Sequence, residues 1–505
     1  IGRIGITQPR RIAAIATSEF VAGQVGCAVG EEVGYQIRFN DKTTEGTRIK
    51  FMTDGILLQE ATNDPTFSRY DVLIFDEAHE RGLNTDFCLG LAKRALALRD
   101  DLKVVVMSAT MDEDKFARFF DNTYSVHIEG RMFPVEVRYT DHRDITDVAA
   151  LFDPRRQNLI EALAAYTVDK IHRSGSEGDI LVFMPGASEI YRTIRFIEGL
   201  NHTGLTALPV FGDMSPNEQR RIFERMPGRK VIVATNIAET SITVDGVVHV
   251  VDSGLIREND FDPRTGIGSL QVVEHSKSGL EQRKGRAGRT REGICWRLFG
   301  EEEYEVSRRE YRRSYRDEKR PEFTKPEILR SDLAGVVLRL LGIGIKDVED
   351  FKLPDQPDYV AIHNAFETLG AIGAITENRD VTTIGERLLD LPLEPRIGRM
   401  ILAAQDYGCM HEVMIIAGKL SVREIFRRPK DKEEQADIAK MQFADGRSDF
   451  LTTLAVVAAY EKNGCSHRWA DENFLNWKSL DEILNIRAQL KEILESQNVE
   501  ITSVG

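Results

Sequence analysis

Six short apolar runs recur through the first 300 residues, at 4–6, 72–75, 104–107, 180–184, 231–233 and 247–251. Each is followed by a polar motif and then by a helix-like stretch. Continuous β-branched runs this brief read as strands of a parallel sheet covered on both faces. In such sheets ligands bind beyond the carboxyl ends of the strands, where the polar motifs fall here. The runs form two groups about a polar, less periodic connector at 134–153, so two tandem α/β domains are expected. Identity between the halves is too weak to make them a repeat.

After about residue 301 the pattern changes. The stretch 301–320 is densely charged. An amphipathic segment (326–341), a helix (359–373) and a strand-like pair (375–384) follow, the pair suiting the wing of a winged-helix fold. From about 395 the chain reads as helices (397–406, 411–420, 449–462, 480–494) that would form a bundle. The expected fold class is therefore α/β, two parallel-sheet domains followed by a winged-helix domain and a helical domain.

A chain of 505 residues is too long for one core. Its net charge of −14, from 67 basic and 81 acidic residues, does not suggest a nucleic-acid binder, because nonspecific affinity comes mainly from Lys and Arg at phosphates. Any such site must be a local basic channel in an acidic body. No apolar run approaches the roughly 20 residues that span a bilayer, so no membrane partner is expected. The five cysteines form no C-x-x-C pair, which fits idle thiols in a reducing cytoplasm, or in a nucleus if the source is eukaryotic.

Asp76-Glu77-Ala78-His79 sits directly after the run 72–75. A carboxylate at a strand end can hold Mg²⁺ through water, and its neighbour can orient or deprotonate an attacking water. Alone, the motif equally fits two solvated acids capping a strand. Ser108-Ala109-Thr110 follows the next strand. In the second half, Gln282-Arg283-Lys284-Gly285-Arg286-Ala287-Gly288-Arg289 places two arginines three apart, able to aim at one anion. Gly285, Ala287 and Gly288 would keep the surface low there, which favours phosphate contact over a plain basic patch.

Together with Thr7-Gln8-Pro9-Arg10-Arg11, Thr53-Asp54-Gly55, the segment 181–186 and ATNIAETSIT at 234–243, these motifs resemble, in order, the motif series of DEAH-box ATP-dependent RNA helicases in superfamily 2. The resemblance runs from residue 1 to about 495. The stretch 320–328 looks nearest the bacterial branch. The resemblance implies RecA-like domains at 1–138 and 139–305, a winged-helix domain at 306–393 and a ratchet domain at 394–505, with ATP and Mg²⁺ as cofactors. Asp76 would hold Mg²⁺ through water and Glu77 would be the base. His79, Ser108 and Thr110 would couple the nucleotide site to the domain interface. Gln282 would position the lytic water, and Arg286 and Arg289 would be arginine fingers. Thr243 and Asp245 would contact the ribose region, with Phe223 stacking on the base.

The family's nucleic-acid contacts map to Arg10, Arg11, Thr53, Asp54, Gly55, Pro185, Gly186, Thr235 and Asn236. They touch backbone and carry no base information, and 2′-hydroxyl contacts would favour single-stranded RNA. The segment 254–273 reads as a hairpin around the turn residues 262–266, a wedge in the family and otherwise plain scaffold. Two departures stand out. Phe20 occupies a position where the family usually has an arginine covering the other face of the base; it could stack there, but helical spacing from Ala16 and Gly23 favours a core residue. Lys284 replaces the usual alanine.

The expected function is ATP-dependent translocation on single-stranded RNA, with unwinding or remodelling and a possible protein activator. The alternatives are a single-stranded DNA helicase and an ATPase-dead RNA-binding scaffold, against which Asp76, Glu77, Arg286 and Arg289 argue. No G-x-x-x-x-G-K-[ST] loop occurs. The family places that loop one strand before Thr7, so the natural protein is expected to carry it within about 40 residues upstream of Ile1. The chain as written would then bind ATP poorly. A β-rich oligonucleotide-binding module, common after such a chain, is also not seen.

Overall fold

The structure, a computed structural model, describes residues 2–37, 40–109, 112–121, 123–128, 130, 132–139, 159–212, 214, 221–240, 244–262, 267–308, 317–422, 424–429 and 432–504. It divides into two compact units. The first holds residues 1–58, 66–331 and 352–356, and the second holds 59–65, 332–351 and 357–505.

The first unit contains two six-stranded sheets. One is built from β1 (Arg3–Gln8), β2 (Val33–Ile37), β3 (Asn40–Lys42), β4 (Ile49–Thr53), β5 (Tyr70–Phe75) and β6 (Lys103–Val106), in the order β3-β2-β4-β1-β5-β6. All its pairings are parallel except that of β2 with β3. Register sets Thr7 beside Phe75 and Gln8 beside Thr53, so the motifs that follow these strands converge at one end.

The other sheet joins β7 (Val135–Tyr139), β8 (Asp179–Phe183), β9 (Leu205–Val210), β10 (Arg229–Ala234) and β11 (Val247–Asp252). A two-stranded hairpin, β12 (Leu255–Asp262) with β13 (Ile267–Glu274), follows the carboxyl end of β11, and β14 (Gly293–Arg297) returns to complete the sheet. The order β7-β14-β11-β8-β10-β9 is parallel throughout. All six residues of β11 are buried, as a central parallel strand with both faces covered requires. The all-apolar layers around β8, β10 and β11 form the core, packed by the helix Leu159–Arg173 on one side.

All six runs are strands. The connector expected at 134–153 begins instead with β7, an edge strand of the second sheet, so a boundary at 138/139 falls inside a strand. The hairpin expected at 254–273 is present, while turn residues 263–266 lie outside the described residues. The charged stretch 301–320 contains the helix Glu302–Glu305 and a second small hairpin, β15 (Val306–Arg308) with β16 (Asp317–Lys319).

The second unit is helical. The expected helix at 326–341 is broken into a 3₁₀ turn, Glu327–Leu329, which belongs to the first unit, and the helix Ala334–Gly342. Tyr359–Ala371 matches the second expected helix. The strand-like pair at 375–384 reduces to one antiparallel bridge, Ile375 to Val381, because the helix Thr383–Asp390 begins at once behind the Thr382 cap. Pro395–Ala404, Met410–Ser421, Asp449–Lys462 and Trp477–Ser496 follow the expected bundle closely. Ile415, Val456, Tyr460, Leu480 and Ile483 fill its core. No helix among the described residues is long and apolar enough to cross a membrane.

Candidate functional site

At the carboxyl end of β5 the backbone stops being a strand and turns sharply. Asp76 N–H still donates to the Thr7 carbonyl, and Ala78 N–H donates to the Met107 carbonyl. Between them Glu77 is left-handed (φ 54°), and Arg81, after the 3₁₀ turn Ala78–Glu80, is left-handed too (φ 50°). For non-glycine residues this backbone region is sparsely populated, and such residues gather where geometry serves a site.

Both Asp76 oxygens are engaged. Gln8 Nε2 donates to Oδ2 at 2.7 Å and the Glu77 N–H to Oδ1 at 2.9 Å. The Ser108 hydroxyl, just after β6, is buried without a hydrogen-bond partner. No group of three or more His, Cys, Asp or Glu among the described residues could hold a metal. One carboxylate at a strand end suits an ion that arrives with phosphates and keeps its waters, which is how Mg²⁺ is commonly bound.

Burial lifts the Glu77 carboxyl to about 7, aided by the charges of Asp76 and Glu80 and opposed by Arg10 and Arg286. A carboxyl near neutrality is suited to take a proton from water. His79 Nε2 lies 3.4 Å from Glu77 Oε2, but burial pushes the imidazole down to about 4. At neutral pH this contact therefore involves an uncharged ring. Arg10 bridges the two sheets, pairing with Glu80 at 3.2 Å and donating to the Ile237 carbonyl at 3.4 Å.

From the second sheet, the helix Lys277–Gly285 tightens into a 3₁₀ turn at Arg286–Gly288. Arg286 is buried, and that burial together with Arg289 lowers its guanidinium to about 9, while Glu239 and Glu77 act the other way. The Arg289 guanidinium is likewise lowered by burial, with Glu77 opposing. Both arginines thus feel Glu77. The small residues have a different reason from a low surface: a Cβ on Gly288 would stand 2.5 Å from the Phe133 carbonyl, so this turn packs directly on the entry to β7.

Arg283 was not singled out by the sequence, yet it is wholly buried. Its Nε donates to Glu239 and its Nη1 to Asp252, each at 2.7 Å, and Nη1 also reaches the Leu255 carbonyl at the hairpin base. Arg283 holds the Glu239 carboxyl down to about 2, with His275 adding to it, against the cost of burial. Gln8, Glu80 and Glu239 are the other residues the sequence reading missed. The one signal for Gln8 was its place at a strand end beside β5.

Gln282 lines a polar cavity of about 290 Å³ with Arg10, His79, Asn236 and hairpin residues. Expected nucleotide and nucleic-acid residues thus meet there. Others do not line it. Phe223 is half exposed on Arg221–Phe223, and Asp245 is exposed. Arg11 is exposed, and Thr53, Gly55 and Thr235 are partly buried at strand ends. Thr110 and Thr243 lie outside the described residues.

Two expected sites are enclosed in this structure, and one expectation is corrected. The Asp54 carboxyl is buried and accepts from Thr85 Oγ1 at 2.5 Å, which ties the start of the helix Asp54–Asn63 to the helix Leu83–Leu96. Pro185 and Gly186 are buried, and a Cβ on Gly186 would meet Glu189 at 2.7 Å and Arg257 at 2.9 Å. The Arg257–Glu189 pair covers them. Phe20 is 64% exposed and is not core.

Residues 158–291 match the helicase conserved C-terminal domain, and residues 394–453 match the helicase associated domain (HA2), ratchet-like. The first span contains Gln282, Arg286 and Arg289, while the second begins at Glu394, the residue before the helix Pro395–Ala404. Together the two matches indicate a helicase of the DEAH/RHA type in superfamily 2.

Proposed function

We propose that this chain is the motor of an ATP-dependent RNA helicase that translocates on single-stranded RNA. The observation that carries this reading is the strained turn at Glu77, a carboxyl raised to about 7 that feels Arg286 and Arg289 from another sheet. ATP would lie between the two sheets, which would be RecA-like domains. Winged-helix and ratchet domains would follow, with the ratchet beginning near 394.

In this reading Asp76, steadied by Gln8, would hold Mg²⁺ through water. The ion would neutralise charge on the phosphates. Glu77 would take the proton of the attacking water, which Gln282 would orient, and the two arginines would stabilise charge developing on the transferred phosphoryl group. Fingers of that kind are worth about 10³–10⁵ in rate in phosphoryl-transfer enzymes. Thr243 and Asp245 would meet the ribose, and Phe223 the base. Arg10, Arg11 and Asn236 would touch RNA backbone.

A steady-state ATPase assay on the full-length natural protein, alone and with poly-U RNA or single-stranded DNA, tests the reading. RNA-stimulated turnover is the expected result. Equal stimulation by DNA would make it a general single-strand motor. No turnover under any condition would leave an RNA-binding scaffold.

A further inference from the structure

The turn that carries Asp76 to Arg81 is held at two places. In front, the carbonyls of Thr7 and Met107 tie it to the first sheet. Behind, it is gripped by residues far along the chain. Arg81 donates through Nε and Nη2 to both oxygens of the fully buried Asp86, each at 2.9 Å, and Nη2 also reaches Asp355 at 2.6 Å. Asp355 is held in place by Lys115 at 2.9 Å. The Arg81 carbonyl accepts from the Glu327 N–H at 2.9 Å. The Glu327 carboxylate in turn accepts the N–H of Leu83 at 2.8 Å.

That last bond is a helix cap supplied from elsewhere in the sequence. The helix Leu83–Leu96 starts behind Gly82, which has no side chain to cap it. A first-turn N–H without an intrahelical partner needs an acceptor, and a carboxylate at a helix start also suits the macrodipole. Glu327 provides both from 244 residues away.

We propose that Arg81 is a positioning residue for the ATPase site, and that Glu327 and Asp355 act through it to hold the catalytic turn in its strained form. Glu77 and Arg81 both occupy left-handed backbone, and such geometry persists only where surroundings over-determine it. The front ties fix Asp76 and Ala78 but nothing beyond Glu80. The rear clamp supplies the second fixed point, so releasing it lets the turn relax and shifts Glu77 against the phosphate. Glu327 and Asp355 flank the excursion 332–351 into the second unit, so the clamp belongs to the two chain segments that enter and leave that unit. This proposal rests on Glu77 being the base.

Arg81→Ala would strand a buried Asp86 carboxylate and risk the fold itself, so the test uses its partners. In the full-length natural protein, ATPase kinetics and thermal denaturation are measured for Asp355→Asn, Glu327→Gln, the double variant, Asp355→Glu and Lys115→Met. The expected result is a fall in kcat of about tenfold for each of the first two, since a full ångström of displacement can cost about a hundredfold and losing one of two clamps moves the turn by less. KM for ATP should stay within about twofold, Asp355→Glu should recover most of the loss, and Lys115→Met, which frees Asp355 on one side only, should lower kcat by less than Asp355→Asn does. An unchanged kcat in the double variant would overturn the proposal. So would kcat, KM and melting temperature falling together, or Asp355→Glu behaving like Asp355→Asn. An inactive wild type would overturn the underlying function instead.

Discussion

Gln8 Nε2 donates to Asp76 Oδ2 at 2.7 Å, across two strand ends 68 residues apart in sequence. The bond leaves the carboxylate one orientation and so decides which way its remaining lone pairs face. Gln8→Leu should therefore raise the Mg²⁺ concentration needed for half-maximal ATPase and lower kcat/KM about tenfold, since a hydrogen bond to a charged group is worth roughly 1.5–3 kcal/mol. A magnesium titration of the variant reads both. An unshifted titration would mean that Asp76 needs no partner to meet the ion.

Glu77→Gln should leave ATP and RNA binding nearly intact while abolishing turnover. The base acts only in the transition state, whereas ground-state phosphate contacts remain. Turnover within threefold of wild type would remove Glu77 from the role of base.

Arg289→Ala should cut kcat by about 10³ or more while RNA affinity changes little, because its proposed partner is a phosphoryl group of ATP. RNA binding measured at several salt concentrations supplies the contrast. A flattened salt dependence with intact turnover would make this turn an RNA-contact surface.

How much of this was readable beforehand depended on what each position buries. The strand before Asp76 announced itself because its residues are apolar and continuous. Strands interrupted by charged residues or proline did not. β4 carries Lys50, which is buried against Gln36; β9 carries Pro209; and β7 reads Val-Glu-Val-Arg-Tyr. Phe20 misled because its spacing from Ala16 and Gly23 was helical, but that stripe faces outward. Ala16 is exposed and a Cβ on Gly23 would meet nothing within 4 Å, whereas Ala14, Ser18 and Ala22 form the buried face. Arg283 and Arg286 look alike in the string Gln282–Arg289, and only their carboxylate neighbours separate a buried tie from the proposed finger. Glu327 and Asp355 left no local trace, since their partners lie more than 200 residues upstream.

The second sheet also carries an acid-sensitive group. Burial pushes His249 down to about 4, with Arg229 adding to it and a backbone hydrogen bond at Glu177 opposing. An unfolded histidine takes its proton near 6.5, so between about 6.5 and 4 the unfolded state binds more protons and stability falls as pH falls. The loss from this group should reach at most about 3 kcal/mol. Denaturant titrations at pH 7, 5.5 and 4.5 should show a shallower decline for His249→Phe than for wild type. Parallel declines would place the acid sensitivity elsewhere.

Arg283 ties the helix of Gln282 and Arg286 to Asp252 and to the Leu255 carbonyl, where the hairpin leaves the sheet. Arg283 and Asp252 are both wholly buried, so the bond couples the helix to the hairpin root. The two are then the short and long arms of one lever. Strand β12 spans eight residues, and at about 3.3 Å per residue its far end stands roughly 26 Å from the pivot. A tilt of about ten degrees at the helix would sweep that end through roughly 4–5 Å, slightly more than the ~3.4 Å rise between successive bases along one strand of a DNA duplex.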